Sequence, residues 1–377
     1  MSEKASINPY IVTITDSISP TSMPYNEFVL YRYNHLHKDR QTMIILFEKV
    51  TSNKVDYPND LPILRCGTSM KKLRQAVESV LEDCKQRNQQ AVFHVHEGKS
   101  VLFFHAATWG KYRKQTVYTI HSTFANYPFH NKLFAAMASL LSQKIICVSR
   151  TSYDHYPSWL KRLLRNKILW IQNGVDCERV NCAIGEEQLQ STALNEKKLR
   201  LIYTARLIPL KRHELLIRAL SNLPYAELSL IGQGKEKNTL QDIAKNCGIS
   251  ERIHFLGVLP RDDVYRQIRA HDVYVSSSSY EGLPISVLEA MSCGVVCAVS
   301  DIEQHREIQE KCPSLMTVKN TVEDWVKAIE KIAAMSADDR AKIGSQNKRD
   351  VDRYFSLARM HAQYDQVYDE VARGIIK

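Results

Sequence analysis

The 377-residue chain has no apolar run approaching the roughly 20 residues that a membrane-spanning helix needs. Its opening residues, MSEKASINPY, are polar and charged where a secretory leader would be apolar. Nine cysteines occur with no framework spacing and no Cys-x-x-Cys pair, which excludes a disulfide-stapled secreted domain and a thiol redox motif. No short internal repeat is visible. The expectation is a reduced, cytoplasmic protein.

With 44% apolar content, the chain is long enough for two domains that each bury a core. Its net charge of +10 is unevenly placed. Residues 1–175 hold 23 Lys+Arg against 12 Asp+Glu, whereas the remainder holds 28 against 29. A basic first half points to an anionic partner: a membrane surface, a nucleic acid or a phosphorylated substrate.

Short apolar runs alternate with helical patterns twice over. In the first half strands are expected at 9–15, 42–49, 91–98, 100–106, 116–121 and 144–149, with 167–175 closing the series. Helices fit at 26–38, 70–87 and 130–142. Residues 181–198 are polar and aperiodic, as an interdomain connection is. The pattern then restarts, with strands at 199–205, 226–232, 253–257, 273–278 and 295–300 and helices at 211–222, 236–247 and 261–270. From about residue 321 the tail reads as helix. Such alternation signals parallel sheets covered by helices, whose ligands bind at the carboxyl ends of the strands.

The stretch SSSSYEGLPISVLEAMSCG places Glu281 on a loop and Glu289 inside a helix that Pro284 can open. The first-turn amides of Ile285 and Ser286 form an anion site between the two carboxylates. Cations must balance them, and Arg206 and Lys211 in TARLIPLKRHELLI follow a strand of the same sheet. Arginine can fork onto phosphate oxygens while lysine acts as a point charge. Each alone reads as a solvated surface cation. Together they read as a clamp for a nucleoside diphosphate, with Glu289 accepting from ribose hydroxyls.

These residues, with IGQGKEKNTL, FLGVLPRDDV, SDIEQHREI and IQNGVD in the same order, resemble the retaining GT-B glycosyltransferases of family 4 (glycosyl transferases group 1). The resemblance implies two Rossmann-like α/β/α domains facing each other across a cleft. Residues 1–177 would bind the acceptor and 178–352 the nucleotide sugar, and a helix at 353–377 would return to the first domain. It implies an enzyme, a hexosyltransferase of polysaccharide biosynthesis. Arg206, Lys211, Ile285, Ser286 and Glu289 would bind the donor, a UDP-sugar by default. Glu281 and His121 would be catalytic, with His121 hydrogen-bonding the sugar. No metal and no cofactor would be required, because cations and a helix start take the ion's part.

Two departures stand out. DSISPTSMPYNEFVLY has no glycine where the family has a Gly-rich loop, leaving Ser17, Ser19, Thr21 and Ser22 as substitute donors. Glu303, Gln304 and His305 stand where the family has glycines. His94 and His96 share a strand face at a spacing that suits a metal, but with no evident third ligand they read as cleft-wall or packing residues. Asp350 and Asp352, the one Asp-x-Asp, fall in the helical tail. In YPSWLKRLLRNK, Trp159, Leu160, Leu163 and Leu164 alternate with cations, the habit of interfacial helices. That suggests peripheral binding on the inner face of a membrane, with a saccharide or lipid-linked acceptor; a core helix is the alternative.

Two rivals remain. A GT-B nucleotide-sugar 2-epimerase would form an epimer without any acceptor. A nucleic-acid-binding module would leave the donor motifs without a role, and no nucleic acid is expected as a partner.

Overall fold

The computed structural model describes residues 9–16, 24–36, 39–47, 60–185 and 198–376. The first-loop hydroxyls Ser17, Ser19, Thr21 and Ser22, and most of the 181–198 connection, lie outside the described residues. The chain divides into two compact units: Met1–Asn173 with Leu357–Lys377, and Gly174–Ser356. The seam at Asn173–Gly174 falls within IQNGVD.

The first unit is built on a sheet of β1 (Tyr10–Thr15), β2 (Gln41–Leu46), β3 (Ile63–Gly67), β4 (Ala91–His96), β5 (Thr116–Ile120), β6 (Lys144–Cys147) and β7 (Ile168–Trp170). All neighbours pair parallel in the order β3-β2-β1-β4-β5-β6-β7, so the order reverses between β1 and β4. Strands β1, β2, β4 and β5 are buried along their whole length, as parallel strands covered on both faces must be. One face packs helices Met70–Gln86, Gly98–Ala107, Phe129–Leu141 and Ser158–Leu164 through Leu73, Val77, Phe104, Ala138 and Leu160. The other packs Pro24–His35 and Leu357–Ile376 through Phe28, Val29, Met360, Tyr364 and Tyr368. Arg32 is buried there and donates to Asp365 at 2.6 Å, joining these two helices.

The second unit has β8 (Leu199–Thr204), β9 (Ala226–Ile231), β10 (Ile253–Gly257), β11 (Val273–Ser276), β12 (Val296–Ser300) and β13 (Met316–Val318). They pair parallel in the order β10-β9-β8-β11-β12-β13. Helices His213–Leu220, Lys237–Asn246, Arg261–Arg269, Ile285–Ser292 and Val322–Ala333 complete a single core around Leu201, Leu230, Val275, Leu288 and Trp325. The order reverses between β8 and β11, which places the loops after those two strands side by side. Such a switch point is where open α/β sheets bind ligands.

Residues 100–106 are helix, not the strand expected from their apolar run. A helix that is apolar on every side carries no period to distinguish it from a buried strand. Glu97 (φ +71°) turns the chain out of β4, and Gly98 lets the helix start pass close to Tyr118 and Phe129–Leu141. A Cβ at Gly98 would stand 3.1 Å from the Tyr118 hydroxyl and 3.2 Å from the Ala135 nitrogen. Asp350 and Asp352 lie on helix Ala337–Phe355, where Gln346 donates to Asp350 at 2.8 Å.

Candidate functional site

Loop 277–284 leaves β11 through a run of serines that stitches it to the turn after β8. The Ser277 hydroxyl donates to the carbonyls of Lys211 (3.0 Å) and Arg212 (2.9 Å). Ser279 reaches the Leu210 carbonyl with both its amide (2.9 Å) and its hydroxyl (3.0 Å). Tyr203, on β8, donates to the Lys211 carbonyl at 3.2 Å and bonds the Ser278 hydroxyl at 2.8 Å. Asn320 closes the back of the loop by donating to Ser277 O at 2.9 Å. These bonds consume backbone acceptors that a short turn cannot satisfy by itself.

The consequence is an ion pair: Lys211 Nζ donates to Glu281 Oε1. Both side chains are largely buried, which strengthens their attraction over that of a surface pair. Tyr203 and Tyr274, beside Glu281, have their phenols pushed above the ordinary range, by burial first and by the Glu281 carboxylate among the smaller causes. His305 lies in the same field. Burial lowers it to about 4, with Glu281 pulling up and Lys211 pushing down. Its Nδ1 lies 2.6 Å from the Ser300 carbonyl oxygen. The departure at Glu303–His305 therefore puts a buried, neutral imidazole beside Lys211 and Glu281.

Helix Ile285–Ser292 begins one residue after Pro284, which caps it. The amides of Val287 and Leu288 bond the Pro284 carbonyl, and those of Ile285 and Ser286 are first-turn donors for which a helix supplies no carbonyl. Four residues on, Glu289 is 6% exposed. A carboxylate so buried needs partners. Arg261 forms an ion pair with it, and Tyr265 donates to the same oxygen at 3.0 Å. Arg261 in turn donates to the Tyr265 hydroxyl at 2.7 Å. Arg261 falls within FLGVLPRDDV, but only the register of helix Arg261–Arg269 brings it to Glu289.

Arg206 follows β8, is exposed, and has no ion pair among the described residues. Its loop is fixed by two glycines of IGQGKEKNTL. The Leu207 amide donates to Gln233 O (3.0 Å) and the Glu236 amide to Leu207 O (3.1 Å). A Cβ on Gly232 would stand 2.0 Å from Ala205 O, and one on Gly234 would stand 2.1 Å from Leu207 O. Only glycine permits that approach.

In the first unit His121 follows β5, and its Nε2 lies 2.8 Å from His96 Nδ1. His94, on the same face of β4, bonds Thr119 Oγ1 (2.7 Å) through Nε2 and the Tyr368 hydroxyl (2.7 Å) through Nδ1. Burial lowers His121 to about 4 and holds His94 and His96 well below their usual range. His121 is thus a neutral hydrogen-bonding group at pH 7 and supplies no charge. Among the described residues no group of three His, Cys, Asp or Glu could hold a metal ion, and His94 and His96 are packed against Phe28 and helix Leu357–Ile376. Among the described residues no helix is long and apolar enough to cross a membrane.

The glycosyl transferases group 1 model matches residues 185–350, and the glycosyltransferase family 4 model matches 48–179. Over 176 residues the chain is 29% identical to the UDP-Gal:alpha-D-GlcNAc-diphosphoundecaprenol alpha-1,3-galactosyltransferase of Escherichia coli, a match covering 44% of this chain and 45% of that one. Over 316 residues it is 24% identical to the N-acetyl-alpha-D-glucosaminyl L-malate synthase of Bacillus anthracis, covering 79% of each. The chain spans about half the length, or less, of several other curated relatives it matches. Among solved structures, Anabaena HepE in complex with UDP and glucose superposes with a TM-score of 0.74 at 16% identity, over 96% of this chain and all of that one. The sucrose-phosphate synthase of Thermosynechococcus elongatus gives 0.74 at 15% identity, over 96% and 98%. The fold, the two family models and the ordered donor motifs agree: the chain belongs to the group 1, family 4 glycosyltransferases of GT-B fold.

Proposed function

We propose that the protein transfers a sugar from a nucleoside-diphosphate donor, UDP-linked by first expectation, to a saccharide or lipid-linked acceptor. The observation that carries this reading is the delivery of Lys211 onto Glu281 beside the first-turn amides of Ile285 and Ser286. That arrangement can take a diphosphate in place of the carboxylate and stabilise it as it departs. Arg206, exposed and without a described ion pair, forks onto the phosphate oxygens. Glu289 accepts from the ribose hydroxyls, and Glu281, once Lys211 turns to phosphate, meets the transferred sugar. His121 hydrogen-bonds that sugar as a neutral imidazole.

The proposed transfer retains anomeric configuration through an oxocarbenium-like state, the leaving phosphate accepting the acceptor's proton. Lys211, Arg206 and the helix start supply the positive charge at the leaving group, so no divalent ion is assigned a role. The reading is supported by the relatives: one is named for a UDP-Gal donor, and HepE is seen with UDP-glucose. Of the two acceptor classes, a lipid-linked one calls for the inner face of a membrane and a free saccharide does not.

The test is a thermal-shift panel of UDP, GDP and ADP with their sugars, followed by transfer from the donor that stabilises most. A specific rise in melting temperature with one nucleotide series is expected, since ligand binding to the folded state alone raises it. No stabilisation by any nucleotide would remove the donor site. Accumulation of an epimer without acceptor would favour the epimerase instead.

A further inference from the structure

The first unit carries an outward face that its own fold leaves uncovered. Helix Phe129–Leu141 turns Ala135, Ala138 and Ser139 inward and Phe129, Leu133, Met137 and Leu140 outward. Steps of four, four and three residues keep those side chains on one stripe over three turns. Phe129 is 85% exposed and Leu133 52%. Beside it, helix Ser158–Leu164 buries Leu160 and Leu164 and turns Trp159 (63% exposed) and Leu163 outward. In this segment one stripe is core and the other is exposed. Single exposed apolar residues are ordinary, whereas adjoining rows of them mark an interaction surface.

Charge selects the partner. No carboxylate occurs between Glu97 and Asp154. Lys111 and Lys114 are exposed after helix Gly98–Ala107, which packs on the other flank of Phe129–Leu141. Arg162 and Arg165 are exposed along and just after the Ser158 helix. Lys144 is excluded from this set because Glu370 holds it at 2.6 Å. A second copy docked by a two-fold axis would bring two cationic faces together, which opposes a dimer. A nucleic acid would match the cations and leave Phe129, Leu133 and Trp159 without an apolar neighbour.

We infer that this face docks on the surface of an anionic lipid bilayer, its apolar rows sinking to the headgroup–acyl boundary while the cations meet lipid phosphates. The inference rests on the proposed membrane-side acceptor for its purpose and on the surface itself for its physics.

The experiment is co-sedimentation of the full chain with phosphatidylcholine vesicles and with vesicles containing roughly one-third phosphatidylglycerol. Binding is expected to the anionic vesicles only and to weaken steeply with salt. Phe129→Ser with Leu133→Ser should weaken it at least about tenfold. Lys111→Glu and Lys114→Glu should each cost about fivefold or more. Phe129→Trp should retain it. Unchanged stabilisation by UDP would show each variant to be folded. The inference is overturned if wild-type protein stays in the supernatant with anionic vesicles, or if all variants sediment as wild type does. It is equally overturned if wild type is a dimer that Phe129→Ser dissociates. Vesicle binding without any nucleotide response would sink the glycosyl-transfer reading and leave this one standing.

Discussion

Glu281 and Glu289 each hold a cation before any donor arrives, Lys211 and Arg261 respectively. A diphosphate must therefore draw Lys211 away from a carboxylate, so part of its attraction is spent on breaking an existing pair. Replacing Glu281 by Gln keeps the shape, frees Lys211 and removes a repulsion on the order of 1–3 kcal/mol at the effective dielectric of a half-buried site. UDP affinity, measured by calorimetry, should rise roughly tenfold in Glu281→Gln while sugar transfer is lost. Weaker UDP binding in that variant would mean that Lys211 needs Glu281 to hold it in position. Arg206→Ala should leave the melting temperature unchanged, because the side chain is exposed and has no described ion pair, and should weaken UDP by about tenfold or more. At this scale the sequence singled out two glutamates, a lysine and an arginine at fixed spacings, and the structure pairs Lys211 with Glu281. The pattern alone assigned Arg261, inside FLGVLPRDDV, no role of its own and was silent on the hydroxyls of Ser277 and Ser279. Those act through register and backbone acceptors, and neither is visible before the loop is built.

Among the elements, two turns must touch for the site to exist, and glycines set how closely. The turn after β8 carries Arg206 and Lys211, and the turn after β9 presses on it with Gly232 and Gly234. In Gly234→Ala the new Cβ meets a backbone carbonyl at 2.1 Å, so a turn must shift. Crowding of this kind costs roughly 1–3 kcal/mol. The melting temperature should fall by about 3–10 °C, and UDP affinity should fall with it because Arg206 rides on the displaced turn. Gly374→Ala, with open space around a helical glycine, is the matched control and should not destabilise. If Gly234→Ala melts like the control, the close approach of the turns is not needed. The same dependence on contact explains which elements were legible. Strands β1, β4, β8, β9 and β12 announce themselves as short, largely apolar runs. Helix Gly98–Ala107 is apolar on most sides, edge strand β13 has only three residues, and edge strand β3 (ILRCG) is broken up by Arg65 and Gly67, so no period distinguishes them. The apolar stripe of Phe129–Leu141 was likewise readable as a helix and not as a surface, because exposure belongs to the packed molecule.

For the whole molecule, the buried histidines decide how the fold responds to acid. In the first unit His94 and His96 are held well below their ordinary range, and His105 and His121 at about 4, all chiefly by burial. In the second unit burial lowers His271, sets His213 at about 3 and His305 at about 4. Each is neutral in the folded chain and titrates near 6.5 once unfolded. As pH falls below about 6.5 the unfolded chain takes up protons first, so stability is complete above that pH and erodes toward 4. One group runs the other way: Glu97, raised to about 7 by burial and by Asp16, binds its proton in the folded state and gains stability as pH falls through 7. It is a single carboxyl against histidines in both units. Asp301, lowered by its hydrogen bond from Arg306, releases its contribution only under more acidic conditions than this window. Melting temperature should therefore drop steadily between pH 6.5 and 5, before ordinary carboxylates titrate, with both units affected. His213 is buried against Tyr203, with ring centroids 4.7 Å apart, so His213→Gln removes one titrating group at nearly constant volume. That variant should flatten the slope of stability against pH. A wild-type melting temperature that stays level from pH 7 to 5 would contradict the assignment, since it would require these imidazoles to be as easily protonated inside the fold as outside it.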